Sequence, residues 1–442
     1  MRKWGLFALA VLVSLSLVTT SNHANEVTLP PAQSKVVDRD FFGIHFHRLQ
    51  LLPNELAVPT VWPPFDFGIL RLWDSRTRWA DIEPAQGDWR FDRLDYYVNE
   101  ALARNVKVLY TLGSTPKWAS ARPDEPCSYY PNGCSAEPLS LEYWRVYVRV
   151  MARRYRGKIC CYEVWNEPDF SGPPKPPKHW GFYTGSVADM VEMTRIARQI
   201  LREEDPNAIL FSPAFVNGPL HRLDKFLAAG GRDHVQGIAY HFYAWNDESR
   251  MLREIEAVRT VLEKHGLTHL PLWSTEAGVE VYEPNEPLPP GIKTRITREE
   301  AAAMMVRQIV LAAFARLDKY FYFAWDSDQS GMVDRAGRPH PSRDAMLLTL
   351  RWLRGARLDR CEIQGGRPTL CWGEKDGKPF AIVWNPVGSD TLELPVPKGL
   401  RIVGRQFAVP RWIAAMQDTV GIDIMSATPN PALYTFERIT QQ

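Results

Sequence analysis

Two glutamates stand where short apolar runs end, in contexts that suit acid–base chemistry. Glu167 follows Asn166 and precedes Pro168, and Glu276 closes a run that starts at Leu272. One carboxylic acid that protonates a leaving oxygen and one carboxylate that attacks the sugar or activates water together cleave a glycosidic bond. If both side chains face one sugar ring, the pair predicts glycoside hydrolysis.

The elements that position these acids show a regular alternation. Between Asp38 and Gly355, short apolar runs alternate with amphipathic helical segments, which is the rhythm of βα units around a parallel sheet. The eight runs cover residues 41–46, 69–73, 106–112, 159–165, 209–214, 237–243, 272–275 and 320–325. Eight such strands predict an α/β fold of the (β/α)8 TIM-barrel type. In that barrel the strands that end in Glu167 and Glu276 are the fourth and seventh, which lie across the mouth from each other.

Helix starts and the end of the chain support this organisation. Ser140 opens one predicted helix, and the spacings Ser186-x-x-Asp189 and Thr297-x-x-Glu300 are typical of capping boxes. After residue 355 the pattern changes to short alternating strands with glycine and proline turns. We therefore expect a catalytic barrel over 38–355 and a small β-sandwich domain over 356–442, with a strand from 26–37 as a candidate addition to it.

The N-terminus and the composition indicate an exported globular protein. Arg2 and Lys3 precede an apolar run over 6–18 and then small and polar residues, which predicts a signal peptide over 1–24 and a secreted or periplasmic protein. An uncleaved membrane anchor is the alternative. Hydrophobic residues make up 45% of the chain and the formal net charge is +2, so the protein lacks the field that attracts nucleic acid.

The six cysteines fall into three local pairs, and export permits disulfide bonds. Cys127 with Cys134, and Cys361 with Cys371, each bracket a turn and are expected to bond. Cys160 and Cys161 lie inside a predicted strand, where we expect buried free thiols. The spacings do not resemble those of zinc ligands.

The chain resembles the clan A glycoside hydrolases, in which Asn-Glu-Pro closes strand four and a second glutamate closes strand seven. The resemblance is greatest to family 39 and its relatives encoded with exopolysaccharide gene clusters, and it covers about residues 40–355. Further matching residues are Arg71 on strand two, the segment Trp79-x-x-Ile82-Glu83-Pro84-x-x-Gly87-x-Trp89-x-Phe91-x-x-Leu94-Asp95, His241-Phe242-Tyr243 on strand six, and Trp325 on strand eight.

The resemblance implies a retaining mechanism of double displacement. It makes Glu167 the acid/base and Glu276 the nucleophile, with Asn166 bonded to the sugar 2-hydroxyl. A nucleophile must stay ionised and needs hydrogen-bond donors, for which Arg71 and Tyr243 are the candidates. Retention predicts that the two carboxyl groups lie about 5 to 5.5 Å apart.

Other side chains at or near strand ends are candidates to line the sugar site. They are His241, His45 and three tryptophans whose rings could stack on a sugar or else pack in the core, namely Trp73, Trp118 and Trp325. Clan members place a non-proline cis peptide after the tryptophan of strand eight. The resemblance therefore implies a cis bond between Trp325 and Asp326.

Two other functions compete with hydrolysis by the glutamate pair. His45 and His47 share a face of strand one, as in metal-dependent amidohydrolases, but strands four and five lack the lysine and histidine that such a site needs. A catalytically silent carbohydrate-binding protein would not need both Glu167 and Glu276. We therefore expect neither metal nor cofactor.

The substrate is left open by these motifs, since the resembling families include β-xylosidases, α-L-iduronidases and endo-acting exopolysaccharide hydrolases. The preferred hypothesis is endo-cleavage of a bacterial exopolysaccharide, and the alternative is an exo-acting β-xylosidase-like enzyme. Association with an export machinery for exopolysaccharide is a possible partnership, and otherwise a monomer is expected.

Overall fold

The computed structural model describes residues 26–28, 35–51, 58–172, 181–216, 218, 220–244, 247–288, 294–363, 368–385, 392–409 and 424–439. The predicted signal peptide lies outside the described residues, as does most of the proline-rich segment after Glu167. Within the part of the chain that the structure describes, no helix is both long enough and apolar enough to span a bilayer.

A closed parallel barrel forms the larger part of the molecule. After the short strand β1 (Glu26–Thr28), its strands are β2 (Phe42–His45), β3 (Ile69–Leu72), β4 (Lys107–Leu112), β5 (Cys161–Val164), β6 (Ile209–Phe211), β7 (Phe215–Val216), β8 (Ile238–His241), β9 (Leu272–Ala277) and β10 (Lys319–Tyr322). Hydrogen bonding runs in the order β6-β5-β4-β3-β2-β10-β9-β8-β7. The strands β6 and β7 are two halves of the fifth barrel strand, and parallel bridges Phe211–Gly237 and Asn166–Ala214 close the ring. The predicted (β/α)8 barrel is confirmed.

Helices surround this ring. They are α1 (Trp79–Ile82), α2 (Asp92–Leu102), α3 (Leu141–Arg154), α4 (Val187–Glu204), α5 (His221–Ala228), α6 (Glu248–Lys264), α7 (Arg298–Phe314) and α8 (Pro341–Leu353). The predicted helix starts are confirmed. Ser140 accepts a hydrogen bond from a backbone N–H at the start of α3, and the two capping boxes form at α4 and α7.

The lower half of the barrel interior is filled by apolar side chains. Seven strands contribute to a buried cluster of Ile69, Leu109, Cys161, Phe211, Ala239, Trp273 and Phe321. Gly43 on β2 makes room for it, because a Cβ at Gly43 would lie 2.3 Å from a ring carbon of Phe321. Below its mouth, the interior of the barrel is therefore a packed apolar core, as is general for TIM barrels.

A β-rich domain follows the last barrel helix. Its strands are β11 (Ala356–Glu362), β12 (Thr369–Lys375), β13 (Lys378–Trp384), β14 (Leu392–Pro395), β15 (Leu400–Phe407), β16 (Ile424–Ala427) and β17 (Ala432–Arg438). The larger antiparallel sheet has the order β1-β11-β12-β13-β17-β15, and β14 pairs with β16 in a second sheet. Met425 and Ala427 of the small sheet pack with Tyr434 and Phe436 of the large one, which gives the predicted β-sandwich. The N-terminal strand β1 pairs with β11. The domain limits at 38–355 and 356–442 stay a prediction.

The six cysteines lie in three close pairs. Cys127 lies with Cys134 and Cys361 with Cys371, the latter across β11 and β12. The turn expected between residues 361 and 371 lies largely outside the described residues. The expectation of free thiols at Cys160 and Cys161 is wrong, because these two sulfurs are paired with each other at the start of β5.

Candidate active site

The backbone at the end of β5 turns sharply and sets the position of Glu167. Trp165 and Glu167 have positive φ angles of 69° and 46°, a conformation that is uncommon for residues other than glycine and that clusters at functional sites. The N–H of Glu167 donates to the carbonyl of Ala214, 2.8 Å away. This bond ties the end of β5 to the break between the two halves of the fifth strand.

Glu276 lies near the end of β9, where the ladder is irregular. The register between β8 and β9 shifts so that His241 comes opposite Glu276. Such irregularities re-aim side chains and are over-represented next to active sites. One oxygen of Glu167, one of Glu276 and a ring nitrogen of His241 all lie within 4.8 Å of one another. The two glutamates therefore face a common space at the barrel mouth.

Arg71 on β3 links the residues of this site. Its Nη1 donates to Oε2 of Glu276 at 2.9 Å and its Nη2 donates to Oδ1 of Asn166 at 2.7 Å. Its Nε donates to Oε1 of Glu163 at 2.5 Å, and the hydroxyl of Thr111 donates to the same oxygen at 2.6 Å. Arg71 and Glu163 have no exposed side-chain surface. The guanidinium is thus held on one side by a buried acid and presents its remaining donors to the site.

The two glutamates differ in their donors. Glu276 accepts from Arg71 and also from the hydroxyl of Tyr243, 2.5 Å from its Oε1. Glu167 has its Oε1 2.7 Å from Nδ1 of His241 and has no contact with a cation at hydrogen-bond distance among the described residues. Two donors, one of them positively charged, favour the ionised form of Glu276.

Burial raises the pKa of Glu167 to about 7. Burial, together with the charge of Glu167, also raises the pKa of Glu276. Burial lowers the pKa of His241 to about 4, so this ring is neutral near pH 7. Two carboxyl groups this close share one proton over a range of pH, and the donors around Glu276 place that proton on Glu167.

His45 and Asp74 lie beside Glu276. A ring nitrogen of His45 and an oxygen of Asp74 come within 4.8 Å of each other and of a Glu276 oxygen. The Nε2–H of His45 donates to the carbonyl of Thr275 at 3.0 Å, whereas its buried Nδ1 has no hydrogen-bond partner in the part of the chain that the structure describes. Burial and the charge of Arg71 keep the pKa of His45 well below its usual value, so the ring is neutral.

The three tryptophans are placed mainly by packing. Trp325 is 3% exposed, donates its indole N–H to Val61 at 2.9 Å, and packs edge-on against Phe65. Trp73 is 2% exposed and donates to Tyr129. These two rings therefore offer little face to a sugar, and their burial favours core packing, one of the two alternatives that the sequence left open.

Trp118 is also held away from a stacking role. Its indole N–H donates to the carbonyl of Glu83 at 2.8 Å, and its ring contacts Trp79 of α1 and Tyr143 of α3. The partly buried ring thus fills the space between two outer helices. All three indole N–H groups are bound by acceptors that are distant in sequence or lie in loops, which a strand pattern does not reveal.

The cis peptide is displaced from its expected position. It lies between Phe323 and Ala324, and the implied bond between Trp325 and Asp326 is not the cis one. The carboxylate of Asp326 accepts from the backbone N–H groups of His47 and Arg48, at 2.7 and 2.8 Å, and from a threonine hydroxyl. Asp326, in the loop after β10, therefore holds the loop that follows β2.

Two side chains of the site were missed as functional candidates in the sequence. Glu163 holds Arg71 by accepting from its Nε. Tyr129 accepts from Trp73 at 2.9 Å and lies under Arg78, and its raised pKa, caused first by burial, also reflects the charges of Asp74, Glu167 and Glu276. The signal for Tyr129 was available, because the paired Cys127 and Cys134 bracket it in the loop after strand three.

Two groups of described residues have the donor types of a metal site, Glu167 with His241 and Glu276, and His45 with Asp74 and Glu276. Both depend on Glu276, whose two oxygens already accept from Arg71 and Tyr243. A guanidinium in contact with a carboxylate competes with a cation for it. The arrangement is therefore better suited to proton transfer and nucleophilic attack than to metal binding.

No family model matches the chain. An endo-1,4-beta-xylanase C from Paenibacillus barcinonensis is 23% identical over 223 residues, which are 46% of this chain but only 20% of that protein. The chain thus spans about a fifth of the length of this curated relative.

Solved structures match over much more of the chain. A family 39 glycoside hydrolase from Bacteroides cellulosilyticus has a TM-score of 0.65 at 16% identity, over 91% of this chain and 82% of that one. The fold is that of a glycoside hydrolase barrel. A family 39 β-xylosidase from Caulobacter crescentus matches with a TM-score of 0.56 at 16% identity, covering 84% and 89% of the two chains. A family 30 endoxylanase from Clostridium papyrosolvens gives 0.58 at 13% identity, covering 92% and 98%. At the level of the fold, the resemblance to family 39 and clan A is confirmed.

Proposed function

We propose that this protein is a retaining glycoside hydrolase in which Glu276 is the nucleophile and Glu167 the acid/base. The observation that carries the proposal is the approach of a Glu167 oxygen to within 4.8 Å of a Glu276 oxygen, with Arg71 and Tyr243 donating to Glu276 and not to Glu167. Retaining enzymes hold their carboxyl groups about 5 to 5.5 Å apart, whereas inverting enzymes leave room for a water at about 6.5 to 9.5 Å.

The reaction follows from the protonation states of the pair. Glu276 attacks the anomeric carbon while protonated Glu167 gives its proton to the leaving oxygen, which forms a glycosyl-enzyme ester. Glu167, now a carboxylate, then takes a proton from water, and the hydroxide displaces Glu276. Neutral His241 holds Glu167 in place, and Asn166, fixed by Arg71, is the candidate partner of the sugar 2-hydroxyl.

The substrate proposed is a bacterial exopolysaccharide, cleaved within the chain, with exo-cleavage of β-xylosidase type as the alternative. The relatives bear both kinds of name, an endoxylanase and a β-xylosidase. Fragment sizes released from a panel of polysaccharides decide between them, since oligosaccharides indicate endo- and monosaccharides exo-cleavage. Export under the predicted signal, and association with an export machinery or otherwise action as a monomer, complete the proposal.

The mechanism is tested with E276Q and E167Q against E142Q, which removes an exposed acid of α3 as a control. We expect E276Q to lose activity by about 10⁴-fold or more, since removing a nucleophile removes the covalent route. E167Q should retain much more activity on aryl glycosides with good leaving groups, because their departure needs no proton.

Product stereochemistry and binding separate the alternatives. The anomer formed first, followed by NMR, should have the configuration of the substrate, and inversion would refute the double displacement. A silent binding protein predicts equal behaviour of E167Q and the wild type, with no hydrolysis by either. A metal-dependent hydrolase predicts loss of activity on exhaustive chelation, whereas the glutamate pair predicts that activity survives it.

A further inference from the structure

Asp74 has no protein partner in the part of the chain that the structure describes. It follows the end of β3, is half-buried at the barrel mouth, and makes no hydrogen bond or ion pair with a described residue. The neighbouring carboxylates are all bound: Glu163 and Glu276 accept from Arg71, and Glu167 lies against His241. A half-buried carboxylate that accepts no hydrogen bond destabilises the folded protein, unless a bound ligand supplies the hydrogen-bond donors.

His45 also carries a hydrogen-bond acceptor that receives no hydrogen bond from a described residue. Its Nε2–H is committed to the carbonyl of Thr275, and a neutral ring then carries a bare lone pair on Nδ1. This nitrogen is buried and has no hydrogen-bond partner among the described residues, and His45 as a whole is 1% exposed. A ring nitrogen of His45 and an oxygen of Asp74 lie within 4.8 Å of each other and of a Glu276 oxygen, so these two residues stand side by side next to Glu276.

Asp74 stands next to a second carboxylate, and the two guanidiniums whose charges act on it are already paired, Arg71 with Glu163 and Glu276, and Arg78 with Asp81. Asp74 and Glu276 lie within 4.8 Å of each other, while the donors of Arg71 are directed to Glu163, Asn166 and Glu276. A carboxylate on the bound sugar would therefore meet like charges in a water-poor pocket, where such repulsion is strong. Sugar hydroxyls, which donate, fit the same place.

We propose that Asp74 and His45 together bind two hydroxyl groups of the sugar ring that Glu276 attacks, and that this position accepts neutral sugars and rejects uronic acids. The proposal rests on the proposed function for the identity of the attacked ring. Asp74 sets the discrimination against anionic sugars through its charge. His45 contributes hydrogen bonding without charge, because its neutral ring accepts from a hydroxyl.

Binding to an inactive variant tests this without relying on turnover. E167Q keeps Glu276, Asp74 and His45, and its affinity is measured by affinity electrophoresis with a glucan, a mannan and a galactan and with the C6-carboxylated form of each. We expect at least one neutral polymer to bind, and its carboxylated form to bind more weakly by about 50-fold, since an unpaired like charge in the pocket is costly.

Further substitutions in the E167Q background separate the contributions of Asp74 and His45 to binding. D74N should weaken neutral binding about tenfold and reduce the discrimination to less than about tenfold, because it removes a charged acceptor and the repulsion together. H45Q keeps an amide donor for the carbonyl of Thr275 and removes the acceptor at the position of Nδ1. It should weaken neutral binding about tenfold and leave the discrimination in place. D88N, which removes an exposed acid paired with Arg90, is the matched control and should change neither value.

The outcomes are decisive in each direction. Equal or stronger binding of the carboxylated polymers, unchanged discrimination in D74N, or no binding to any neutral polymer would overturn the proposal. Hydrolysis by the wild type is measured separately on the same polymers. If the preference for neutral polymers holds but no hydrolysis occurs, the proposed catalytic function fails and the binding assignment stands. If hydrolysis occurs without the preference, the assignment of Asp74 and His45 fails alone.

Discussion

The same strands carry two very different layers inside the barrel. The lower, apolar layer includes Ile69, Leu109, Cys161 and Ala239, and the upper, catalytic layer holds the residues two positions further on, Arg71, Thr111, Glu163 and His241. Residues two apart on a strand point to the same side, so only position along the strand separates a hydrocarbon core from a buried charge network. The apolar layer gives the barrel its packing and shields the charges above it from water, which raises the pKa of Glu167. We therefore expect substitutions in the upper layer to act mainly on catalysis and those in the lower layer mainly on stability.

The largest effect on catalysis is expected at Arg71, because its guanidinium binds three other residues of the catalytic site. R71K replaces a planar group that binds Glu163, Asn166 and Glu276 at once with an ammonium that cannot reproduce this fork. We expect kcat/KM to fall by roughly 10³-fold or more, since a charge that stabilises the nucleophile loses its geometry. Steady-state kinetics on an aryl glycoside checks this, with R195K on the surface of α4 as the control. A loss of less than tenfold in kcat/KM would mean that the guanidinium of Arg71 contributes little to catalysis.

The opposite behaviour is expected in the apolar layer. Leu109 is fully buried on β4, and L109A leaves a cavity below the charges. We expect the free energy of unfolding to drop by about 2–5 kcal/mol, while kcat/KM, measured well below the melting temperature, changes by no more than about threefold. Urea denaturation together with kinetics provides the measurement. If L109A lost activity as severely as R71K at unchanged stability, the two layers would not be separable.

A smaller catalytic effect is expected at Tyr243, at the edge of the upper layer. Y243F removes the hydroxyl that donates to Oε1 of Glu276 and keeps the ring. A hydrogen bond to a charged group contributes about 1.5–3 kcal/mol, so kcat/KM should fall roughly 10- to 100-fold. Y240F removes a hydroxyl on the same strand segment without touching either glutamate, and serves as the control. Equal losses in the two variants would assign the effect of Y243F to packing.

The two layers also show what the sequence could predict. The alternation of apolar runs with helices, the capping boxes of α4 and α7, and the glutamates at two strand ends depend on local patterns, and the fold followed from them. Roles that depend on distant partners could not be predicted in this way. Trp325 is removed from the site by a carbonyl of Val61, 264 positions earlier in the chain. Glu163, which looked like a strand residue, acquires its role only when β3 brings Arg71 beside it.

The pairing of Cys160 with Cys161 and the position of the cis peptide were missed for a related reason. Each is a local feature of one or two residues, and no periodic sequence pattern predicts which residues have it. The two halves of the fifth strand are a third example, since the break around Pro213 lets Ala214 bond Trp165 and Glu167. A proline within a strand predicts an interruption, but not that the interruption would anchor the catalytic loop.

The smallest effect, and the one that separates charge from packing within the catalytic layer, is expected at Glu163. In the wild type, hydrolysis requires protonated Glu167, whose pKa burial raises to about 7, so kcat/KM should fall as the pH rises above about 7. Glu163 offsets part of the charge of Arg71, because its Oε1 accepts from that guanidinium. In E163Q the positive charge acts on the glutamate pair with less opposition and favours ionised carboxylates.

The alkaline limb of the pH profile should therefore move to lower pH in E163Q, by roughly one pH unit. The matched variant T111V removes the hydroxyl that donates to the same Glu163 oxygen but changes no charge, so its profile should keep the wild-type position. Profiles of kcat/KM between pH 4 and 9, measured alongside thermal unfolding, separate the two variants. A shift to higher pH in E163Q, or the same shift in both, would mean that Glu163 acts by packing rather than by its charge on Arg71.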